Sequence, residues 1–300
     1  MMAYDVAVIG AGPAGLTAGI YAARSGLSTF ILERATAGGL ANEAWSIENY
    51  PGFDSIEGME LMDQMKTHAL KYVSILPAEV KKIEIDKNMT LYTNGDSYKS
   101  DAVILATGSL HKKLGIPGEA EFIGKGVSYC AACDGFFFKE KKVLVVGGGN
   151  TAATEAIYLK DIGCDVTLVH RRDQLRAEKS LQKRLIRSGV KIIWNSVLGE
   201  IRGKTLVNSV LIHDLREDVF HELDFEGVFI LIGDSPNNTL ANAVGVKLDE
   251  QGYIITDKKQ RTNLPRVYAA GDVTGGVRQI VVACAEGAIA ALSAYEDLSM

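Results

Sequence analysis

Apolar and polar positions follow the same order in two separate blocks of the chain. The first block runs from Tyr4 to Glu33 and the second from Lys142 to His170. Each contains a short apolar run, a glycine-rich turn, a stretch with helical spacing and a second apolar run. Short apolar runs bounded by glycine indicate buried strands, and the 3.6-residue period indicates a helix. Each block therefore predicts a β–α–β unit of a parallel sheet.

The repeat covers whole halves of the chain rather than a single turn. An apolar run ends at Gly108 in the first half, and the same pattern ends at Gly233 in the second. A further apolar run ends at Gly271 and is followed by helical spacing to about Leu298. Placing this last segment in the first domain predicts an α/β fold of two Rossmann-like dinucleotide-binding domains of the three-layer ββα type, the second inserted into the first.

The predicted domain boundaries lie in two short polar connections. Residues 1–112 and 238–300 form the first predicted domain, and residues 113–237 form the second. Two crossing connections would permit a rigid-body rotation about a hinge. The other elements predicted for the first domain are a long loop over 38–52, a helix over 57–73 and short antiparallel strands over 78–105.

Both glycine-rich turns have the pattern that phosphate binding requires. The first reads G-x-G-x-x-G over residues 10–15, and the second reads G-x-G-x-x-A over residues 147–152. Such glycines let the backbone approach a pyrophosphate, and the helix that follows offers its unpaired N–H groups and the positive end of its dipole. One such motif is a weak signal, but here each has a strand before it and a helix after it.

The residue at the end of the second strand predicts which ribose each turn accepts. Glu33 would accept hydrogen bonds from ribose hydroxyls and repel a 2′-phosphate, so the first site favours FAD or NAD. His170 holds the equivalent position in the second block and is followed by Arg171, Arg172 and Arg176. Because cations suit a 2′-phosphate, the second site is predicted to bind NADP(H).

A C-x-x-C pair lies just upstream of the second glycine-rich turn. Cys130 and Cys133 have the spacing of a small disulfide ring, in which one thiol pKa can be depressed. Asp134 is adjacent and would take or supply the thiol proton during exchange. A zinc site is the alternative, but it needs two further soft ligands, and Cys164 and Cys284 stand alone. Those two cysteines are interpreted as core residues.

Composition narrows the classes of function. The 300 residues carry a net charge of −5, which argues against nonspecific binding to nucleic acid or to an anionic membrane. The longest apolar stretch, from Ile280 to Leu292, is interrupted by Glu286 and is too short to cross a bilayer. The N-terminal segment lacks the basic region of a signal peptide, which predicts a cytoplasmic location. In a reducing compartment, C-x-x-C indicates redox chemistry or metal binding.

These motifs together resemble the low-molecular-weight, FAD-containing thioredoxin reductases over nearly the whole chain. The cysteine and arginine motifs in this order make the resemblance specific. The matching segments are residues 10–15, 48–52 (ENYPG), 106–108 (ATG), 130–135 (CAACDG), 147–152 (GGGNTA), 170–173 (HRRD) with Arg176, and 271–272 with 278–279.

The resemblance implies that the first domain binds FAD and the second binds NADPH. The residues that it implies for FAD are Gly10, Gly12, Ala14, Gly15, Glu33, Gly39, Leu40, Asn49, Ala106, Thr107, Gly108, Gly271, Asp272, Arg278, Gln279 and Ile280. Those that it implies for NADPH are Gly147, Gly149, Asn150, Thr151, Ala152, His170, Arg171, Arg172 and Arg176.

The resemblance also implies the catalytic roles. Cys133 would face the flavin, Cys130 would attack the disulfide of a partner, and Asp134 would be the acid–base group. Electrons would pass from NADPH through FAD to the Cys130–Cys133 disulfide, and then to thioredoxin or a thioredoxin-like protein. In this family the nicotinamide and the dithiol must occupy the same site beside the flavin in turn. A rotation of the second domain would exchange one for the other. The family further implies a homodimer.

Three departures from the family pattern concern flavin tuning and partner fit. Leu40 stands where the family has Gln, Asp234 stands where His is frequent, and residues 274–277 form a compact stretch. Alternatives within the fold are a reductase that uses NADH or reduced deazaflavin and a dithiol oxidase. The arginine cluster disfavours the first, and the second would not need a second nucleotide site. The non-enzyme alternative is a binding protein that senses nucleotide or redox state and catalyses no reaction.

Overall fold

The computed structural model describes residues 3–44 and 47–299. The α-helices in these residues are, in chain order, α1 (Pro13–Arg24), α2 (Gly58–Ala69), α3 (Ala131–Asp134), α4 (Asn150–Asp161), α5 (Lys179–Arg187), α6 (Thr239–Ala243) and α7 (Ile280–Leu298). The strands are β1 (Ala3–Ile9), β2 (Thr29–Glu33), β3 (Ser74–Pro77), β4 (Val80–Ile85), β5 (Met89–Thr93), β6 (Ser97–Leu105), β7 (Ser109–His111), β8 (Val127–Ser128), β9 (Lys142–Gly147), β10 (Asp165–Val169), β11 (Lys191–Ile193), β12 (Ser196–Gly203), β13 (Val207–Asp214), β14 (Val219–Asp224), β15 (Gly227–Leu231), β16 (Asp234–Pro236) and β17 (Val267–Ala269). Short 3₁₀ turns cover Gly39–Glu43, Gly135–Phe138 and Asp272–Thr274.

The chain divides into two compact units. The first unit consists of Met1–Leu110 and Ser235–Met300, and the second consists of His111–Asp234. The boundaries predicted from the sequence, at 112/113 and 237/238, stay predictions. The strands that contain the two crossings, β7 and β16, pair with each other.

A mixed sheet forms the centre of the first unit. Within the described residues its strand order is β3-β2-β1-β6-β5-β4, with β17 also paired to β6. The pairs of β1 with β2 and with β6 are parallel, whereas β4, β5 and the first part of β6 are antiparallel. Val6, Ala7 and Val8 of β1 are fully buried, as expected for a strand covered on both faces.

A parallel sheet forms the centre of the second unit. In the described chain its order is β11-β10-β9-β15-β8, and all of these pairs are parallel. A separate antiparallel sheet has the order β12-β13-β14. The β–α–β segment is β1-α1-β2 in the first unit and β9-α4-β10 in the second. The predicted fold class, two Rossmann-like units with the second inserted into the first, is confirmed.

The predictions for the first half of the chain are confirmed with one refinement. Helix α2 lies within the predicted residues 57–73, and β4 to β6 lie within the predicted 78–105. The predicted loop over 38–52 contains a 3₁₀ turn at its start, and Ile47 forms a bridge with Ile56 near its end. Both isoleucines are buried, so apolar contacts shape this loop. Trp45 and Ser46 lie outside the described residues.

Helix α7 crosses α1 at close range. A Cβ atom added to Gly287 would overlap the carbonyl oxygen of Ala14, so only glycine allows this approach. The contact brings the C-terminal helix against the helix that follows the first glycine-rich turn. Within residues 3–44 and 47–299, no helix has the length and apolar character needed to span a membrane.

Candidate active site

The first glycine-rich turn is built so tightly that side chains are excluded. Gly10 has a φ of +105°, and a Cβ there would overlap the carbonyl oxygen of Ala106. A Cβ on Gly15 would overlap the carbonyl oxygen of Gly10. Gly12 is the N-cap of α1 and Pro13 follows it, with no side-chain cap from the described residues. The first N–H groups of α1 are therefore left for an anion.

Glu33, which is predicted to contact the ribose, also fixes the conformation of the first glycine-rich turn. Its Oε2 accepts a hydrogen bond of 2.7 Å from the backbone nitrogen of Ala11, and its Oε1 accepts one of 2.9 Å from Ala35. The nitrogen of Gly38 donates in turn to the carbonyl of Ala11 at 2.8 Å. Because each carboxylate oxygen can accept more than one hydrogen bond, Glu33 can still accept from a ribose.

The structure brings several sequence-predicted flavin residues together. The Nδ2 of Asn49 donates to the Oε1 of Gln279 at 2.9 Å, although 230 positions separate them. Thr107 donates through its hydroxyl to the carbonyl of Asn237 at 2.7 Å. Ala106 and Gly39 lie against the first glycine-rich turn, at Gly10 and Gly12. Leu40 lies in the 3₁₀ turn that starts at Gly39, Gly108 follows β6, and Arg278 and Gln279 precede α7, which begins at Ile280.

The Gly271–Asp272 segment reaches the start of α1. Gly271 has a φ of +83°, and a Cβ there would lie 2.9 Å from the Cβ of Ala14. Glu286 of α7 holds the segment: its Oε2 accepts from the nitrogen of Gly271 at 2.7 Å and from the hydroxyl of Thr274 at 3.0 Å. Burial raises the pKa of Glu286, and the charge of Asp272 acts in the same direction.

Sequence reasoning missed this role of Glu286. The available signal was its position as the one charged side chain within the apolar stretch from Ile280 to Leu292. A lone carboxylate in such a stretch needs hydrogen-bond donors when the helix is packed. Glu286 finds those donors in the backbone nitrogen of Gly271 and the hydroxyl of Thr274.

The second glycine-rich turn repeats the geometry of the first. A Cβ on Gly147 would overlap the carbonyl oxygen of Leu231 and crowd Ala152. Gly149 is the N-cap of α4, and nothing lies within 4 Å of a Cβ built on it. Space is therefore open in front of the first N–H groups of α4, where Asn150 and Thr151 begin the helix.

His170 lies at the end of the second strand, and its side chain is buried. It directly follows β10 and is only 6% exposed, with its ring packed on the backbone of Gly148. The edge of the ring meets Trp194, with 6.4 Å between ring centroids. Burial lowers the pKa of His170, and the neighbouring Arg176 and Arg171 lower it further. Backbone hydrogen bonds with Gly147 and Gln174 act in the opposite direction, so the net shift is a lowering of the His170 pKa. The prediction that His170 belongs to the nucleotide site stays a prediction.

The two turns thus use the residue after the second strand in different ways. Glu33 hydrogen-bonds to Ala11, whereas His170 packs on Gly148, the residue at the matching position of the second turn. The Nε2 of His170 is buried and has no hydrogen-bond partner among the described residues. An orphaned polar atom beside an open helix N-terminus fits a site that binds a polar ligand.

The arginine loop folds back onto the second turn. The backbone nitrogens of Arg176 and Ala177 both donate to the carbonyl oxygen of Gly148, at 2.7 Å and 3.1 Å. Arg171, Arg172 and Arg176 are exposed, and within the described chain none of the three forms an ion pair. Their charges therefore lie at the same end of the unit as Gly149.

The C-x-x-C pair is a disulfide at the start of a short helical turn. Cys130 and Cys133 are bonded to each other, and Cys130 is the N-cap of α3. The Sγ of Cys130 also accepts a hydrogen bond of 3.0 Å from the backbone nitrogen of Cys133. Cys130 is 6% exposed, whereas Cys133 is exposed and Asp134 is half-buried. Among the described residues no His, Cys, Asp and Glu cluster could hold a metal ion.

Two exposed aromatic side chains follow the disulfide. Phe136 is 73% exposed and Phe137 is 71% exposed. The residues on either side of this pair are fixed by packing. Gly135 lies so close to α4 that a Cβ on it would be 2.9 Å from the side chain of Leu159. The thiol of Cys164 donates a hydrogen bond of 3.1 Å to the carbonyl of Phe138. Sequence reasoning missed this pair, although three consecutive phenylalanines after C-x-x-C were a visible signal.

The remaining cysteines have no accessible thiolate. Cys164 is buried, and burial raises its thiol pKa. Cys284 is half-buried, and burial also raises its pKa despite hydrogen bonds with Thr17 and Tyr50. The prediction that Cys164 is a core residue is confirmed, and Cys284 is packed at the edge of the core.

The donors and the open space in each unit fit one dinucleotide per unit. Each unit has a side-chain-free turn at the N-terminus of a twelve-residue helix. The first turn is bordered by a carboxylate, and the second by arginines, a neutral histidine and a disulfide. A chain with these parts is a two-nucleotide disulfide oxidoreductase.

The chain belongs to the pyridine nucleotide-disulphide oxidoreductase family, whose sequence pattern matches residues 4–287. It is 44% identical over 301 residues to a thioredoxin reductase of Listeria innocua, covering 98% of this chain and 93% of the relative. The crystal structure of Lactococcus lactis thioredoxin reductase matches with a TM-score of 0.94 at 42% identity, over 99% of both chains. That of T. acidophilum thioredoxin reductase matches with a TM-score of 0.94 at 41% identity, over 100% of both chains. The family and these relatives imply FAD and NADPH as cofactors.

Proposed function

We propose that this protein is an NADPH-dependent thioredoxin-disulfide reductase. The observation that carries the proposal is the Cys130–Cys133 disulfide in the same unit as a nucleotide turn bordered by arginines. The overall reaction transfers two electrons from NADPH to a thioredoxin disulfide and takes up one proton. The similarity to thioredoxin reductases over nearly the full chain supports this substrate.

The first unit would hold FAD, in the domain predicted as residues 1–112 and 238–300. The N-terminus of α1 would bind the pyrophosphate, Glu33 the adenosine ribose, and Asp272 the ribityl or pyrophosphate region. Asn49 and Gln279, which are hydrogen-bonded to each other, would lie near the ring. FAD, when bound, supplies the step that passes electrons from nicotinamide to a disulfide. Leu40 offers no side-chain amide there, so the backbone is left to make polar contacts with the ring.

The second unit would hold NADPH, in the domain predicted as residues 113–237. The N-terminus of α4 would bind the pyrophosphate, and Arg171, Arg172 and Arg176 would bind the 2′-phosphate. His170 would contribute shape and one unpaired ring nitrogen rather than charge, because burial keeps it neutral. Three arginines without ion pairs in the described residues favour NADPH over NADH or deazaflavin as the donor.

The dithiol would act by exchange through a mixed disulfide. The Cys130 thiolate attacks one sulfur of the thioredoxin disulfide, and the other sulfur of thioredoxin leaves as a thiolate. The Cys133 thiolate then attacks the Sγ of Cys130, which re-forms the disulfide and releases reduced thioredoxin. Asp134 would hold and return the proton that the leaving thiolate needs.

The burial of Cys130 adds a condition to this scheme. Cys130 is 6% exposed as a residue, which leaves little of it open to the disulfide of another protein. Cys130 must therefore become more accessible during turnover, and the proposed change is the rotation of one unit about the crossing strands β7 and β16. A distance between one spectroscopic label on each unit that stays constant on reduction would contradict the rotation.

We further propose that the protein is a cytoplasmic homodimer. Ile289, Leu292 and Tyr295 are exposed apolar residues at three-residue spacing on α7, so they share one face. A second copy of this chain would cover that face. Leu292→Glu should produce monomers in light scattering, with Lys87→Glu, at an exposed position between β4 and β5, as a charged control elsewhere on the same unit. A dimer that persists in Leu292→Glu would contradict the assignment of this face.

Anaerobic reduction separates the proposed function from its alternatives. The holoenzyme with NADPH should bleach the flavin and then reduce thioredoxin, whereas NADH or reduced deazaflavin should do so less well. Cys133→Ser should lose thioredoxin reduction. A flavin that stays oxidised under NADPH, or a Cys133→Ser variant with wild-type turnover, would contradict the proposal. Electron transfer from a small dithiol to oxygen without need for NADPH would identify a dithiol oxidase.

A further inference from the structure

A carboxylate from helix α4 is bonded to the first residue after Cys130. The Oε2 of Glu155 accepts a hydrogen bond of 2.7 Å from the backbone nitrogen of Ala131. Ala131 begins the turn α3, whose N-cap is Cys130 and whose third residue is Cys133. The negative charge of Glu155 is therefore one peptide group away from the redox disulfide, and both lie in the second unit.

Helix α4 packs against the turn that carries Cys130 and Cys133, and the Glu155 hydrogen bond is one of several contacts between them. Helix α4 also packs under Gly135, where a Cβ would lie 2.9 Å from Leu159. Glu155 and Leu159 are four positions apart and so share one face of α4. Ala131 is fully buried and packs in the same core cluster as Leu159 of α4. The distance between the carboxylate and the sulfurs is thus set by packing rather than by a mobile side chain alone.

We propose that Glu155 is a positioning residue that raises the pKa of the Cys130–Cys133 dithiol and so makes it a stronger reductant. A nearby negative charge disfavours a thiolate. Glu155 also occupies the Ala131 N–H, a donor that could otherwise stabilise a sulfur anion. The thiolate exists only in the reduced state, because the disulfide carries no charge. Any group that destabilises the thiolate therefore shifts the redox equilibrium toward the disulfide.

The balance of the half-reaction fixes the sign. Reduction of the disulfide takes up two electrons and two protons when both thiols are neutral, and two electrons and one proton when one is a thiolate. With Glu155 charged, ionisation of the reduced pair is disfavoured, so a smaller thiolate fraction stabilises the reduced state at pH 7, and that fraction is the form that attacks a partner disulfide. Electrons then leave more readily for a partner disulfide, which is the direction that the proposed function requires. The inference rests on that function only in taking Cys130–Cys133 as the working pair.

Glu155→Gln is the decisive variant, because its amide oxygen can still accept from the Ala131 N–H while the charge is lost. The holoenzyme is reduced anaerobically with NADPH and labelled with iodoacetamide from pH 5.5 to 9, and the label on Cys130 and Cys133 is quantified by peptide mass spectrometry. The profile should move to lower pH, with about three- to tenfold more thiolate at pH 7. The equilibrium with glutathione should move toward the dithiol in the same sense.

Matched variants separate charge from hydrogen bonding. Glu155→Asp should keep the wild-type profile, and Glu222→Gln on β14 removes one charge from the same unit and should also leave it unchanged. If Glu155→Gln overlays the wild type while Glu155→Ala shifts or unfolds, Glu155 is only a backbone cap and the inference is wrong. A shift to higher pH would also overturn it.

The same experiment distinguishes failure of the inference from failure of the proposed function. A wild-type protein that NADPH does not reduce would contradict the function. Labelling is then repeated after reduction with dithiothreitol, where a shift in Glu155→Gln still supports the role of Glu155, and no shift contradicts it.

Discussion

The Oε2 of Glu33 and the backbone nitrogen of Ala11 are joined by a hydrogen bond of 2.7 Å. This bond ties the end of β2 to the first glycine-rich turn. In the second unit the matching positions, His170 and Gly148, are in ring-to-backbone contact instead. The same β–α–β frame therefore holds its nucleotide turn by a carboxylate in one unit and by a buried imidazole, packed on Gly148 and hydrogen-bonded to the backbone of Gly147, in the other.

Glu33→Ala should weaken both the fold of the first unit and FAD retention. The change leaves the N–H groups of Ala11 and Ala35 without their acceptor, at a cost of about 1–3 kcal/mol. Thermal unfolding and the rate of flavin release measure the two effects. Glu33→Gln keeps one acceptor and should lie between wild type and Glu33→Ala. Equal flavin release from wild type and Glu33→Ala would show that the carboxylate does not hold the turn.

The arginines, and not His170, should determine the preference for NADPH. Arg171→Ala with Arg172→Ala should raise the KM for NADPH by about a hundredfold or more, since each lost charge-assisted hydrogen bond is worth about 1.5–3 kcal/mol. The KM for NADH should stay within about twofold of wild type. Lys183→Ala, which removes an exposed charge from α5, is the control. An equal loss for both nucleotides would contradict the assignment of the 2′-phosphate.

Glu286 should make the stability of the protein depend on pH. Its pKa is raised in the folded state, so the folded protein holds this proton more tightly than the unfolded chain. Its contribution to stability is therefore greatest below the ordinary pKa of a glutamate and is lost as the pH rises through the raised value. Glu286→Gln keeps the acceptor for Gly271 and cannot ionise. Denaturant unfolding should show that the free energy of unfolding of Glu286→Gln rises relative to that of wild type as the pH rises. If it falls relative to wild type instead, the pKa of Glu286 is not raised in the folded state.

Gly287→Ala should destabilise the first unit although alanine is the better helix former. The new Cβ would overlap the carbonyl oxygen of Ala14, and overpacking of this kind costs about 1–3 kcal/mol. Denaturant unfolding measures the loss, and flavin release should be faster because α1 is displaced. Gly95→Ala, where nothing lies within 4 Å of the added atom, should have little effect. Similar stabilities for the two variants would mean that α1 and α7 can separate freely.

Phe136 and Phe137 should contribute to thioredoxin reduction but not to reduction of the enzyme itself. Exposed aromatic side chains beside a reactive disulfide are suited to contact a protein partner. Phe136→Ser with Phe137→Ser should lower kcat/KM for thioredoxin by about tenfold or more and leave flavin bleaching by NADPH unchanged. Phe220→Ser, at an exposed aromatic of β14, is the control. Unchanged kcat/KM would place the docking surface elsewhere.

Most of the fold and part of the site followed from short-range patterns. The two glycine-rich turns, the strands around them and the Cys130–Cys133 spacing are each set by residues close in sequence, because backbone conformation and disulfide geometry are local properties. Similarly, the C-terminal apolar strand and helix were recognised from their own periodicity. What these patterns could not supply was the environment of each side chain. The sequence placed His170 after the second strand, but its burial and the resulting lowering of its pKa depend on the surrounding fold.

The sequence by itself determined that this chain contains two dinucleotide-binding units and a redox-active cysteine pair. Only the tertiary structure decided that Asn49 meets Gln279, that Glu286 holds Gly271, and that Cys130 is buried. These features depend on which surfaces come together after the chain folds. Contacts between residues far apart in sequence, and the loss of water that accompanies them, leave no local pattern in the amino-acid sequence.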